Sequence, residues 1–234
     1  MNKEQFVLEV QKLGIKIDDD KLLKLEKFYD LLIDWNNKIN LTTIVEKEDV
    51  YLKHFYDSLT LFKEIDLTTD LTLCDVGSGA GFPGIVLKIF FPNLKITLVD
   101  SLNKRVIYLN EIIKELKLED IIAVHYRMED FSRINEEVFD VITARAVSNL
   151  SVLSEISVRA LKVGGKLVFM KANCDEELEN ISNIYNKLGL KLNSVNKFVL
   201  PIEQSNRALV CIEKTKTTDK KYPRTIDKIK RNPL

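Results

Sequence analysis

The chain has almost no histidine, two residues in 234, and little cysteine, three. Cys74, Cys174 and Cys211 are scattered, odd in number and form no C-x-x-C pair. With no Cys/His cluster, a structural zinc site is not expected. Isolated cysteines inside apolar runs read as small buried hydrophobes in a reducing compartment rather than as disulfides. Long apolar runs are missing too. No stretch reaches the ~18 apolar residues of a membrane span, and the opening Met-Asn-Lys-Glu-Gln-Phe lacks the apolar core of a secretion signal. A cytoplasmic protein with no membrane partner and no metal is expected. Net charge is absent as well, with 35 basic and 35 acidic residues. That excludes a protein that coats nucleic acid through bulk charge, and leaves room for a local basic patch.

What is present is periodicity. Apolar residues make up 45% of the chain and charged residues 30%, which suits a soluble α/β domain with an appendage. Residues 1–66 read as a helical extension. Lys21–Asn40 places Leu22, Leu25, Phe28, Leu32, Trp35 and Ile39 on one stripe, and Asp18–Asp20 supply its cap. A second helix is expected over Glu48–Lys63, through Leu52, Phe55, Leu59 and Phe62. Residues 67–213 alternate between strand and helix. Strands are expected at 71–76, 95–99, 121–125, 139–143, 166–171, 197–200 and 207–213. Helices are expected at 82–91, 103–117, 151–161 and 175–188. This alternation predicts a mostly parallel, doubly wound sheet. The last two strands have only a short polar loop between them. They predict a terminal hairpin that puts one antiparallel strand at the sheet edge. Residues 214–234 form a basic tail, read as a solvated end or as an arm for RNA phosphates.

Four of the eight glycines fall within eight residues, at Gly77, Gly79, Gly81 and Gly84. They follow the first strand directly and open a helix. Such a turn lets a ligand approach backbone closely and directs free N–H groups above the strand. Two fingerprints match. Gly79–Gly84 fits the dinucleotide pattern G-x-G-x-x-G. Asp75–Gly81 fits D-x-G-x-G-x-G, the first motif of class I S-adenosylmethionine (SAM) methyltransferases. Counted from Gly77, which stands beside the strand end, Phe82 occupies the third dinucleotide glycine position. Phe82-Pro83 would also crowd a pyrophosphate. The frame favours SAM over NAD.

Ligands of open α/β sheets lie across the carboxyl ends of the strands. After the second strand stands Asp100, a carboxylate for ribose hydroxyls. After the third come Met128 and Glu129, suited to an adenine face and edge. After the fourth stands Arg145, costly to bury without a partner. No nucleophile–base pair is visible, and neither histidine has a local triad context.

These residues resemble the RsmG (GidB) family of bacterial 16S rRNA guanine-N7 methyltransferases. The resemblance is carried by Trp35–Thr42 (WNNKINLT), Lys53–Ser58 (KHFYDS), Asp75–Gly84 (DVGSGAGFPG), Asp100–Arg105 (DSLNKR) and Arg145-Ala146. It implies a Rossmann-like, mostly parallel seven-stranded class I fold, SAM as cofactor, and N7 of the guanine at position 527 in the 530 loop of 16S rRNA, on the small ribosomal subunit, as target. It implies SAM contacts at Gly77, Phe82, Met128, Glu129 and Arg145, beside Gly79, Gly81 and Asp100. The N-terminal helices, with Asn40, Lys53 and His54, and Lys104, Arg105 and Lys171 are the expected RNA face. Arg145, Asn40 and His54 are the candidates for a direct catalytic part. A monomer is expected. Lys221-Tyr222-Pro223-Arg224 matches the family's Gram-positive tail, but the Gly-Thr-Pro stretch that follows there is replaced by Thr-Ile-Asp. A class I enzyme for a small molecule or protein, and a non-catalytic SAM- or NAD-binding regulator, are the competing readings.

Overall fold

The computed structural model describes residues 1–179, 181–232 and 234. The chain opens with α1 (Lys3–Lys12) and α2 (Asp19–Ile39). Asp18 caps α2 by accepting the Lys21 amide at 2.9 Å. Asn40 ends it in the left-handed region, φ 49°, a conformation asparagine tolerates better than most residues. Leu25, Phe28 and Leu32 of the α2 stripe are fully buried.

The expected second helix is a run whose pitch changes. It passes through α3 (Lys47–Val50), a π-helical turn (Tyr51–Tyr56), α4 (Asp57–Leu59) and a 3-10 turn (Thr60–Lys63). A π turn inserts a residue and re-aims the side chains on it; here it carries Lys53 and His54. Phe28 ties the extension to the rest of the molecule, its ring 5.7 Å from Phe55 and 5.3 Å from Phe82.

Seven strands follow: β1 (Thr72–Val76), β2 (Lys95–Asp100), β3 (Ile121–His125), β4 (Phe139–Arg145), β5 (Leu161–Lys171), β6 (Leu190–Val199) and β7 (Asn206–Lys214). Between them run α5 (Gly84–Phe90), α6 (Asn103–Glu115), α7 (Met128–Ile134), α8 (Leu150–Ser157), α9 (Asp175–Leu178) and α10 (Ile181–Leu188), and α11 (Ile226–Arg231) lies in the tail. The sheet order is β3-β2-β1-β4-β5-β7-β6. β1 pairs in parallel with both β2 and β4, so the chain crosses in opposite directions from β1 and opens a crevice at the ends of β1 and β4. One apolar core joins the N-terminal helices to one face of the sheet, and a second joins α7, α8 and α10 to the other.

Several local expectations are corrected. The antiparallel strand is not at the edge: β7 inserts between β5 and β6, and β6 takes the edge. β6 is also much longer than 197–200, because Leu190–Leu192 find partners on β7 that no local pattern shows. Met128-Glu129-Asp130 is the first turn of α7, a helix absent from the expected set, where acidic residues suit the helix N-terminus. The expected helix 175–188 is interrupted: Glu179 takes an extended backbone, ψ 130°.

The tail is anchored at several points rather than wholly solvated. Lys214, fully buried, donates to the carbonyls of Val158 (3.0 Å) and Leu161 (2.7 Å) and pairs with Glu137 at 3.2 Å. Arg224 grips the buried Glu155 of α8 with two 2.7 Å hydrogen bonds, a fork that matches a carboxylate. Tyr222 and Ile229 are buried beside them. Local composition read as solvated because the partners of these residues lie on distant elements.

Candidate active site

The glycine turn has its predicted place beyond β1. Gly77 has φ 66°, and a Cβ on it would stand 2.7 Å from a methyl group of Val147. Glycine is needed there for conformation and for space. The turn is bolted to β2 through Asp100, whose Oδ2 accepts the Gly79 amide and whose Oδ1 accepts the Leu102 amide, both at 2.9 Å. Asp100 is 2% exposed. It already serves two backbone amides, so its first task in this structure is to join the two turns. Arg105 lies 3.5 Å from the same carboxylate.

Below the turn Asp75 is fully buried. Its Oδ2 accepts the Gly84 amide at 3.0 Å, and its Oδ1 has no partner among the described residues. Burial pushes its pKa up to about 7, against the lowering effect of the Gly84 amide, Ser78 and Arg145.

Two cavities meet at the crevice. The first, about 130 Å³, is lined by Gly77, Ser101, Met128, Glu129 and Val147, among others. Of the residues expected to hold the cofactor, it gathers Gly77, Met128 and Glu129. Gly79, Gly81, Phe82, Asp100 and Arg145 are not on its wall. The second, about 410 Å³, is lined by Lys53, His54, Asp57, Arg145, Lys171 and Arg207, among others. It gathers Lys53, His54 and Lys171 from the expected RNA face. Asn40, Lys104 and Arg105 lie outside it; Asn40 and Lys104 are exposed. Ala146 faces the second cavity and Val147 the first.

Arg145 is the hub between them. Its Nη1 donates to the Lys53 carbonyl (2.8 Å) and to Asp57 (3.2 Å), and its Nη2 lies 3.1 Å from His54 Nδ1. Its guanidinium sits 5.2 Å from the Phe82 ring centre, and His54 stacks on the same ring at 4.4 Å. A guanidinium can only donate. His54 Nδ1 lies between that donor and the Lys53 carbonyl at 3.2 Å, which can only accept, and Nε2 lies 3.1 Å from Thr42 Oγ1. Burial, then the Arg145 charge, hold the His54 pKa down to about 3. The ring is a neutral connector between the Asn40–Thr42 segment and the crevice. Phe82 and Arg145, expected against the cofactor, are both tied to the N-terminal helices.

Lys171 was expected to face RNA. Its Nζ is held by the Ser148 carbonyl (2.7 Å) and by both Glu177 oxygens (2.9 Å). Lys53 is paired with Asp49 (3.3 Å) and Glu203 (3.4 Å). Asp57 and Arg207, which sequence reasoning left without a role, meet at 3.0 Å. The available signal for Arg207 was a lone charge at the head of the apolar run Ala-Leu-Val-Cys-Ile.

A family model described as rRNA small subunit methyltransferase G matches residues 21–209. The protein named ribosomal RNA small subunit methyltransferase G in Lysinibacillus sphaericus is 46% identical over 227 residues, covering 96% of this chain and 95% of its own. The chain belongs to the rRNA small subunit methyltransferase G family. The Bacillus licheniformis member is 46% identical across all of this chain and 99% of its own. Among solved structures, a SAM dependent methyltransferase from Aquifex aeolicus superposes with a TM-score of 0.53 at 18% identity, over 80% of this chain and 98% of its own. A predicted O-methyltransferase from Agrobacterium tumefaciens gives 0.52 at 15%, over 64% and 76%. These two establish the class I fold that the strand pattern predicted.

The residues present fit the cofactor of that fold. The unpartnered Asp75 oxygen suits a cationic or N–H-bearing group, the glycine turn admits a ligand against backbone, and Met128 with the buried Glu129 supplies an apolar face beside a carboxylate. Among the described residues, no helix is long and apolar enough to cross a membrane.

Proposed function

We propose that the chain is a SAM-dependent methyltransferase acting on N7 of a guanine in the 16S RNA of the small ribosomal subunit. The observation that carries this reading is the pair of adjoining cavities at the β1/β4 crevice, in a chain of this family. One cavity has the acid-and-glycine chemistry of a SAM site. The other, about 410 Å³, has room for a nucleotide base and is lined by Lys53, His54, Arg145 and Arg207 from both parts of the chain.

Bound SAM would supply a methyl group on a sulfonium. Guanine N7 offers its lone pair without losing a proton, so the protein has to orient the base and exclude water. The side chains agree with that task. His54 is neutral and its Nδ1 faces the Arg145 guanidinium, which leaves it unsuited to act as a base. Arg145, Asp57 and Arg207 form a braced wall rather than a proton relay. A base stacked in RNA has to be extruded to reach such a cavity. Asn40, Lys53, Lys104 and Arg105 are the residues assigned to the RNA phosphates.

Transfer of labelled methyl from SAM to small subunits lacking the modification tests the proposal. Label at N7 of the guanine at position 527 is the expected result. Label elsewhere, or none, would overturn it.

A further inference from the structure

The two cavities share no lining residue. Residues 145–147 form a wall between them, with Ala146 lining one side and Val147 the other. Val147 rests against Gly77 and leaves the first cavity about 130 Å³, well below the roughly 300–1,000 Å³ of ordinary small-molecule sites. In-line transfer needs donor and acceptor atoms about 3–3.5 Å apart. At about 130 Å³ the first cavity has to widen to admit a cofactor, and Val147 on its wall is the group that must move for the reaction proposed above to occur.

The segment is built to do so. Ala146 has φ 55°, a conformation that non-glycine residues hold only when their surroundings impose it. Ala146 and Val147 are exposed. What imposes the position lies on either side. Before it, Arg145 is fixed to Lys53, His54 and Asp57. After it, the Ser148 carbonyl accepts from Lys171 Nζ. Lys171 is in turn held by Glu177, whose Oε2 also accepts the Leu150 amide at 2.6 Å, at the start of α8. One lysine and one glutamate thus close the downstream end of the wall, and that lysine lines the second cavity.

We propose that Lys171 and Glu177 are positioning residues that latch residues 146–149 across the crevice, and that RNA phosphate entering the second cavity draws Lys171 from Glu177 and opens the wall. The latch itself is independent of substrate identity; the opening by phosphate rests on the RNA reading given above. Cofactor exchange is slow with the latch closed and fast once the substrate backbone competes for the lysine. Lys171 serves both states because it is a flexible, strongly hydrated cation that can trade one oxyanion for another.

Stopped-flow binding of SAM to the full chain tests the latch without RNA. Glu177→Gln keeps an acceptor for the Leu150 amide and removes the ion pair. Lys171→Met removes it from the other side, and Lys171→Arg keeps the charge. Weakening one partly buried pair predicts SAM association and dissociation both faster by about three- to tenfold in Glu177→Gln and Lys171→Met. Lys171→Arg should stay near wild type. Unchanged rates in both pair-breaking variants, with folding confirmed by circular dichroism, would overturn the latch. The same measurement with a saturating transcript of the 16S 530 loop tests the trigger. RNA should accelerate SAM exchange in the wild type and add little in Glu177→Gln. Equal acceleration in both would overturn the trigger. A transcript that fails to bind wild-type protein would overturn the RNA reading and the trigger with it, while the RNA-free rates still decide the latch.

Discussion

Arg145 Nη2 stands 3.1 Å from Nδ1 of His54, so a permanent cation faces an imidazole that burial keeps neutral. The pair joins the end of β4 to the π turn of the N-terminal extension.

The first consequence is a pH effect on stability. Folded His54 resists protonation to about pH 3, against an ordinary value of 6.5. The unfolded chain binds the extra proton between those values, so stability falls as pH drops below 6.5. The term reaches about 2 kcal/mol at pH 5. His54→Gln, which keeps an acceptor for Arg145, should lose it. Urea midpoints at pH 7.5 and 5 measure the difference, and an unchanged difference would remove His54 from the linkage.

Asp75 acts with the opposite sign. Its folded pKa, raised from 3.8 to about 7, makes the native state the stronger proton binder in that window. Its contribution is intact below pH 3.8 and lost as pH rises toward 7. In the wild type the two groups offset each other between about pH 4 and 6.5. Asp75→Asn should uncover a rise in stability with pH, and His54→Gln a fall. Near pH 6 a cationic cofactor over Asp75 should displace its proton. Calorimetry of SAM binding in buffers of different ionisation enthalpy reads that release, which should vanish in Asp75→Asn.

Removing Arg145 should affect both activity and folding. Arg145→Gln leaves Asp57 facing only Arg207 and frees the His54 ring. A methyl-transfer loss of at least about a hundredfold is expected from misplacement of the crevice wall. Breaking a largely buried pair adds a stability cost of about 3 kcal/mol. A charge reversal would set a second carboxylate against Asp57, so Gln is the cleaner probe. Wild-type transfer in this variant would take Arg145 out of the site.

The tail divides into anchors and exposed lysines. Arg224→Met leaves Glu155, 1% exposed, without its fork and should cost about 3 kcal/mol in a denaturation curve. Lys228→Ala with Lys230→Ala should leave that curve in place, since both side chains are solvated. If the tail touches RNA, the double variant lowers the salt slope of binding by up to about two.

Much of this architecture was legible from local pattern. Strand–turn–helix alternation, the four clustered glycines and the α2 stripe are short-range signals, and the elements they predict are present, the helix expected at 175–188 as two pieces. Register and partnership were not legible. β6 grew because β7 offered it a ladder, and the tail docked because Glu155 and Tyr222 found neighbours far away in sequence.

The sequence by itself determined the fold class, the glycine turn and the family, because these depend on residue types at fixed spacings along the chain. Tertiary structure decided which side chains share a cavity. It packed Phe82 and Arg145 against the N-terminal helices and turned Lys171 onto Glu177. It also set Ala146 and Val147, neighbours in the chain, on opposite sides of one wall. The physical reason is that a buried charge goes wherever its partner stands, and those partners lie up to 92 residues away.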